Sequence, residues 1–177
     1  MNICVFCSSS EQTPTIYRIA AEEAGEKIAS RGHSLIYGGG NIGLMHDIAH
    51  SAVTFRGTVI GVIPKNLRDR EQRFDKAGEM ILTDSIHERK RIMEERADAF
   101  LVLPGGFGTL EELMEILAMK FRDADPRPIA LLNTAGFFNQ LLGFFDFLAH
   151  EEFVPSNWRN SLLIKEEMDT ILNYFEH

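Results

Sequence analysis

Two glycine-rich segments, each lying between a short apolar run and a helical pattern, constrain the fold of this chain most strongly. The first, 38–43, follows the apolar run 34–37, and the second, 104–108, follows the run 99–103. Elsewhere in the 177 residues, short apolar runs also alternate with amphipathic segments. This alternation predicts a single α/β domain over 1–177 with a parallel sheet, in which ligands bind beyond the carboxyl ends of the strands.

Charge and cysteine content argue against several classes of protein. Asp and Glu number 26 against 18 Lys and Arg, for a net charge of -8, so we expect binding to neither nucleic acid nor a membrane surface. Cys4 and Cys7 fall on one predicted strand, where residues three apart point to opposite faces, which disfavours a redox pair. Neither a long apolar run nor a signal-peptide pattern is present, which predicts a cytoplasmic protein.

The first glycine loop, Gly38 to Gly43, fits the G-x-G-x-x-G pattern of dinucleotide sites. An NAD site also needs an acidic residue at the end of the next strand, where this chain has Ile63-Pro64-Lys65. We therefore expect no NAD or other cofactor. The loop instead predicts either a close approach to a phosphate or ribose, or only a tight turn with positive φ.

The second glycine loop, Pro104 to Thr109, predicts a site for one phosphate or carboxylate. Its glycines would leave backbone N–H groups open at the start of a helix, and the ending of a Walker loop is missing. Thr109 is predicted to cap a helix that runs to about Phe121. Because Thr109-x-x-Glu112 has the spacing of a capping box, Glu112 is by spacing either a cap or a catalytic carboxylate.

Arg89 falls on the apolar side of a helix predicted over 85–97, between Ile86 and Met93. A cation there either extends to solvent, forms a structural ion pair or points into a pocket for an anion. Lys90 lies at the edge of the same side. Two cations near the strand ends of an acidic protein favour the anion pocket.

His46 and His50 are four residues apart on a predicted helix, a spacing that would suit a metal ion. A third ligand is not evident nearby, and both side chains are predicted to point away from the apolar stripe of the helix. We therefore expect no metal, and we expect these histidines on a solvated or subunit-facing surface.

Taken together, these motifs resemble the LOG family of cytokinin riboside 5'-monophosphate phosphoribohydrolases, often mislabelled lysine decarboxylases. The resemblance covers nearly the whole chain and is carried by Tyr37 to Met45, Gly61 to Pro64, Arg89-Lys90 and Pro104 to Glu112. It implies a Rossmann-like, doubly wound homodimer that cleaves the N-glycosidic bond between an adenine-type base and ribose 5-phosphate. Ser8 and His46-Asp47 depart from the family pattern at turns that bear on the base preference.

The resemblance also implies which residues form the site. Arg89 and Glu112 correspond to the catalytic pair, and the carboxylate would stabilise the positive charge on the ribose and activate a water. Contacts with a nucleoside 5'-monophosphate are expected at Gly39, Gly40, Met45, Glu71, Lys90, Gly105, Gly106, Phe107, Gly108, Thr109 and Glu111. The alternative is a non-catalytic carrier or sensor of a nucleotide or a molybdopterin-type cofactor, which could use the same fold.

Apolar surface gives a second reason to expect a homodimer. The segment 137–148 is apolar on most sides, and the helix that starts near Leu44 carries a broad apolar stripe. Both offer more apolar surface than one open sheet requires. We expect Arg89 to face a phosphate-binding pocket near the subunit boundary.

Overall fold

The computed structural model describes residues 1–67, 74 and 76–177. Its strands are Asn2–Phe6 (β1), Ser34–Tyr37 (β2), Thr58–Pro64 (β3), Glu79–Thr83 (β4), Ala99–Val102 (β5), Ile129–Leu132 (β6) and Leu163–Lys165 (β7). They form one sheet in the order β4-β3-β2-β1-β5-β6-β7, and every neighbouring pair is parallel. The predicted α/β fold with a doubly wound parallel sheet is confirmed.

Helices cover both faces of this sheet. They are Thr15–Ser30 (α1), Gly43–Thr54 (α2), Ile86–Arg96 (α3), Phe107–Asp123 (α4), Asn139–His150 (α5) and Met168–Phe175 (α6). One core layer joins α1, α2 and α6 to the sheet, and the other joins α3, α4 and α5. Cys4 faces the second layer and Cys7 the first, so the two cysteines point to opposite faces as expected.

The chain reverses its winding direction next to the central strand β1. From β1 it proceeds outward through β2, β3 and β4, then returns to place β5 on the other side of β1. The loops that follow β1 and β5 therefore diverge to opposite faces and leave a crevice at the carboxyl ends of these strands. Open α/β sheets bind ligands at this kind of position.

The first two helices pack closely, which corrects one expectation about α2. A Cβ on Gly25 of α1 would lie 2.3 Å from the backbone oxygen of Ile48, so only a glycine allows this approach. Leu44, Ile48 and Ala49 of α2 are fully buried within the single chain. The apolar stripe of α2 is thus covered by α1 and the sheet, and it is not free for a second subunit.

The helix cap predicted at Thr109 is wrong. Helix α4 begins at Phe107, and Thr109 lies inside its first turn.

The start of α4 removes one interpretation of Glu112. Gly106 is the residue that precedes the helix, so Thr109 and Glu112 do not form a capping box. The role of the Glu112 carboxylate is therefore not that of a capping-box residue.

None of the helices in the described part of the chain is both long and apolar enough to cross a membrane.

Candidate active site

A cleft of about 390 Å³ lies at the carboxyl ends of β1 and β5, where the winding direction changes. Its walls are the loop after β1, helix α3 and the first turns of α4. The described residues that line it are Cys7, Ser8, Ser9, Ser10, Met45, Leu67, Ile86, Arg89, Lys90, Gly106, Phe107, Gly108, Thr109, Glu111 and Glu112.

The N-terminus of α4 opens into this cleft. The first N–H groups of any helix lack partners within the helix, and within the described chain no side chain caps those of α4. Apart from the chain neighbours and the backbone of α4 itself, no described residue lies within 4 Å of a Cβ built on Gly106 or Gly108. The uncapped helix end therefore presents partial positive charge and open backbone, which suits a phosphate.

Gly105 has a different environment from the two glycines that follow it. A Cβ there would lie 2.1 Å from Oγ1 of Thr109, so Gly105 makes room for the buried threonine side chain. Thr109 itself lines the cleft. Gly105 thus affects the cleft through the position of Thr109.

Glu112 lies one helical turn after Gly108 and lines the same cleft. Burial raises the pKa of its carboxyl group to about 7, and the opposing effect of the Arg89 charge is smaller. Neighbouring Glu111 raises the pKa further. Near neutral pH, Glu112 can therefore exist as either carboxylate or carboxylic acid, a property expected of a group that exchanges protons with a substrate or water.

Arg89 reaches the cleft from α3. Helix α3 is fixed at its start by Ser85, whose hydroxyl accepts a hydrogen bond from the Glu88 N–H at 3.1 Å. Arg89 is only 8% exposed, and its Nε has no hydrogen-bond partner among the described residues. A buried guanidinium group needs an anion, and the open end of α4 stands across the same cleft.

Lys90, in contrast, already has anionic partners. Its Nζ lies 2.9 Å from Glu115 and also bonds to Glu111, which ties α3 to α4. Burial lowers the pKa of Lys90, but these hydrogen bonds outweigh it and leave that pKa above its usual value. Of the two adjacent cations, Arg89 is the one that faces the cleft without an ion-pair partner among the described residues.

The sequence predictions of substrate contacts divide into two groups. The structure brings together Arg89 and Glu112 with Met45, Lys90, Glu111 and the segment 106–109. Gly39, Gly40 and Gly105 are outside the described lining of the cleft, and Gly39 lies close to Ile63 of β3. Glu71 lies outside the described residues. Contact of any of these residues with substrate stays a prediction.

A loop of three serines, Ser8 to Ser10, lines the cleft and was not predicted as a binding segment. The Ser8 N–H donates to the Pro104 backbone oxygen at 3.2 Å, and the Ser8 backbone oxygen accepts from the Leu44 N–H at 2.9 Å. The serine loop is therefore fixed to the second glycine loop at Pro104 and to the start of α2 at Leu44. Three small polar residues directly after a central strand were the available signal.

His46 and Asp47, which depart from the family pattern, have structural partners. His46 Nδ1 lies 2.7 Å from Oδ1 of Asn41, and its ring stacks on His50 with centroids 5.4 Å apart. The buried carboxylate of Asp47 accepts two hydrogen bonds from Arg18. No group of three or more metal-ligating side chains is found in the described part of the chain.

Comparisons with known proteins identify the family of this chain. The family model described as possible lysine decarboxylase matches residues 45–175. A probable cytokinin riboside 5'-monophosphate phosphoribohydrolase of Oryza sativa subsp. japonica is 39% identical over 174 residues, which cover 98% of this chain and 70% of that protein. A cytokinin riboside 5'-monophosphate phosphoribohydrolase of Arabidopsis thaliana is 42% identical over 161 residues, covering 91% and 76%.

Solved structures extend the agreement to the fold. The molybdenum cofactor carrier protein of Chlamydomonas reinhardtii superposes with a TM-score of 0.76 at 23% identity, covering 99% of this chain and 95% of that one. At this identity the similarity shows the fold alone. By the family match and the two plant relatives, the chain belongs to the LOG family, whose family model carries the description possible lysine decarboxylase.

Proposed function

We propose that the protein hydrolyses the N-glycosidic bond of nucleoside 5'-monophosphates with an adenine-type base, giving the free base and ribose 5-phosphate. The observation that carries this proposal is a carboxyl group of pKa about 7, Glu112, in one cleft with Arg89 and the uncapped end of α4. The names of the plant relatives support the same reaction class.

In this proposal the phosphate binds at the N-terminus of α4, where helix charge and open backbone favour an anion. Arg89 neutralises part of the phosphate charge and holds the nucleotide against α4. This placement brings the ribose towards Glu112, which follows the open turn of the helix.

The bond between ribose C1′ and the base nitrogen then breaks, and its electron pair leaves with the base. Positive charge builds on the ribose, and the Glu112 carboxylate stabilises it. A water attacks C1′ and gives one proton to Glu112, while its hydroxyl group remains on the ribose. The departing base takes up one proton from solvent, and Glu112 returns its proton to solvent before the next turnover, so the products are neutral base and ribose 5-phosphate.

The experiment is to incubate the protein with AMP and with an N6-modified AMP and to separate the products by chromatography. We expect free base and ribose 5-phosphate in equal amounts, and the comparison of the two substrates measures the base preference. Tight binding of both nucleotides without any product would instead support a non-catalytic carrier. Such a carrier has no need of a carboxylate beside the ribose.

We also propose that the protein is a homodimer, with α4 at the subunit boundary. Phe107, Met114 and Phe121 are spaced by seven residues on α4 and are 93%, 37% and 42% exposed. Phe107 belongs to the cleft lining too. An apolar stripe with this spacing suits packing against a second helix, and it would place the cleft next to the boundary.

Light scattering at micromolar concentration tests the dimer. We expect twice the mass of one chain for the wild-type protein and the mass of one chain for Met114→Glu. Phe144→Glu, on the exposed side of α5, is the comparison that shows whether α4 or α5 forms the contact. A monomeric wild-type protein would contradict the proposal.

We retain the cytoplasm as the proposed location, without association with nucleic acid or membranes. The net charge of -8 supports this view. Retention on DNA-cellulose or on anionic vesicles at physiological salt would contradict it.

A further inference from the structure

The guanidinium group of Arg89 lies directly against Gly38, the residue that follows β2. A Cβ built on Gly38 would lie 1.8 Å from Nη2 of Arg89 and 2.9 Å from its Cζ. It would also lie 3.0 Å from the sulfur of Met45. A side chain on residue 38 and the guanidinium group of Arg89 therefore compete for the same space.

Backbone conformation does not explain why residue 38 is a glycine. The described glycines with positive φ are Gly32, Gly39, Gly43 and Gly136, and Gly38 is not among them. An alanine could adopt its backbone angles without strain. The requirement at Gly38 is space, and the atoms that need the space belong mainly to Arg89.

The backbone around Gly38 has little freedom to move aside. The preceding residue, Tyr37, is fully buried and pairs with Gly61 of β3 in the sheet. On the other side, a Cβ built on Gly39 would lie 3.0 Å from the Cβ of Ile63, so Gly39 is also closely packed. An added methyl group at residue 38 would therefore displace the Arg89 side chain rather than the strand end.

Packing, rather than an ion pair with a described residue, holds Arg89 in place. Its Nε is buried without a partner among the described residues, and the same part of the chain offers it no carboxylate within salt-bridge distance. A long cationic side chain in this situation would normally extend to solvent. The surfaces of Gly38 and Met45 leave it one well-defined position facing the cleft.

We propose that Gly38 is a positioning residue for Arg89: the absence of a side chain at residue 38 seats the guanidinium group at the cleft. This inference rests on the proposed function, in which Arg89 contacts the substrate. The first glycine loop resembles a dinucleotide site, but its first residue, Gly38, would position the Arg89 side chain of α3.

A double-mutant cycle on AMP hydrolysis tests the proposal. We expect Gly38→Ala to lower kcat/KM by at least about tenfold in the wild-type background, because small displacements of a catalytic group cost rates of this size. In the Arg89→Ala background the same change should alter kcat/KM by less than about twofold. An equal loss in both backgrounds would overturn the inference.

A second cycle, on thermal stability, covers the case in which Gly38→Ala folds poorly. Gly38→Ala should lower the Tm of the wild-type protein. Because Arg89→Ala removes the overlapping atoms, adding it to Gly38→Ala should recover most of the lost Tm. If the double variant is as unstable as Gly38→Ala alone, Gly38 makes room for something other than Arg89 and the inference fails.

Gly57→Ala is the matched control, since a Cβ at Gly57 would lie 2.5 Å from the Cβ of Ala29, far from the cleft. We expect it to lower Tm while kcat/KM per folded molecule stays within about twofold of wild type. Its Tm loss should persist in the Arg89→Ala background. The stability cycle does not depend on activity, so it separates failure of the Gly38 inference from failure of the proposed function, which the absence of AMP hydrolysis by the wild-type protein would indicate.

Discussion

The two glycine loops have similar sequences and opposite physical roles. In the first, Gly39 and Gly43 have φ values of 75° and 55°, and added Cβ atoms would press on Ile63 and on the Ser10 backbone. In the second, Gly106 and Gly108 have no positive φ and meet no described neighbour within 4 Å. The first loop uses Gly39 and Gly43 for packing, whereas Gly106 and Gly108 of the second loop leave open space at the cleft.

This difference means that the same substitution should have different consequences in the two loops. A methyl group added to the first loop should lower the stability of the fold or displace the Arg89 side chain. A methyl group added to the second loop should instead hinder a ligand that approaches from the cleft. Glu112, the carboxylate that we propose takes part in the reaction, belongs to the helix that follows the second loop, and the largest effect is expected there.

Glu112→Gln should reduce turnover of AMP by two orders of magnitude or more, about 3 kcal/mol in activation free energy, while binding of AMP persists. The amide is nearly the same size but neither stabilises positive charge nor accepts a proton. Kinetics measure the turnover of AMP, and binding calorimetry measures the affinity for AMP.

Glu115→Gln, one turn further along α4, is the comparison for loss of a negative charge near Lys90. It should change kcat by less than about threefold, because surface charge pairs have small effects. Normal turnover by folded Glu112→Gln would remove this carboxylate from the mechanism.

Gly43→Ala should lower the free energy of unfolding by about 2 kcal/mol, since the alanine must adopt positive φ and its Cβ would lie 2.7 Å from the Ser10 backbone oxygen. In a chain of this length the loss corresponds to a Tm decrease of about 4–8 °C. Calorimetry measures it. A Tm within about 1 °C of wild type, which corresponds to less than about 0.5 kcal/mol, would show that the first loop tolerates a side chain and would weaken the contrast.

The pH dependence follows from the raised pKa of Glu112, about 7. Because the carboxylate is the active form, kcat/KM should rise about tenfold per pH unit up to about pH 7 and then level off. The rise of kcat/KM with pH should be absent from the residual activity of Glu112→Gln. A profile that is flat between pH 5 and 8 in the wild-type protein would contradict the assignment.

Stability should change with pH in the opposite sense. A carboxyl group whose folded pKa is raised stabilises the fold in its protonated form, and this contribution is lost as pH rises from about 4.5 through 7. Relative to Glu112→Gln, the wild-type protein should lose on the order of 2 kcal/mol of unfolding free energy between pH 5 and 8. Urea titrations at both pH values provide the comparison.

Gly108→Ala should produce the smallest effect and the clearest contrast with Gly43→Ala. Stability should rise by about 0.5 kcal/mol, because alanine restricts the unfolded chain and favours the helix. KM for AMP should increase about fivefold, because the methyl group stands where a phosphate would approach the backbone.

Gly143→Ala is the control for this change, as it lies in α5 and an added Cβ there also meets no described neighbour within 4 Å. It should raise stability without changing KM. Equal KM values for the two variants would show that the open turn of α4 does not receive the phosphate.

The alternation of strands and helices could be predicted from the sequence, because apolar runs and amphipathic segments directly reflect which residues are buried. It also placed Arg89 at the cleft, since a cation on an apolar stripe is conspicuous. The start of α4 was missed because glycines at 106 and 108 are poor helix formers, whereas the helix begins among them.

Other features could not be derived from pattern alone. An amphipathic helix does not specify what covers its apolar side, so α2 was assigned to a subunit contact although α1 covers it. The seat of Arg89 on Gly38 depends on a distance between segments 51 residues apart in the chain. Such contacts arise from the sheet order, which local patterns do not encode.

Labelling of the two cysteines, which lie on opposite faces of the sheet, can measure local opening and opening of the whole domain separately. Burial raises the thiol pKa of both, so neither reacts readily with disulfide reagents in the native state. Cys7 borders the cleft, whereas Cys4 is fully enclosed in the other layer. Labelling of Cys7 should therefore follow local opening and slow down when AMP occupies the cleft, while labelling of Cys4 should follow opening of the whole domain. One mass spectrum per time point would record both events in the same molecule.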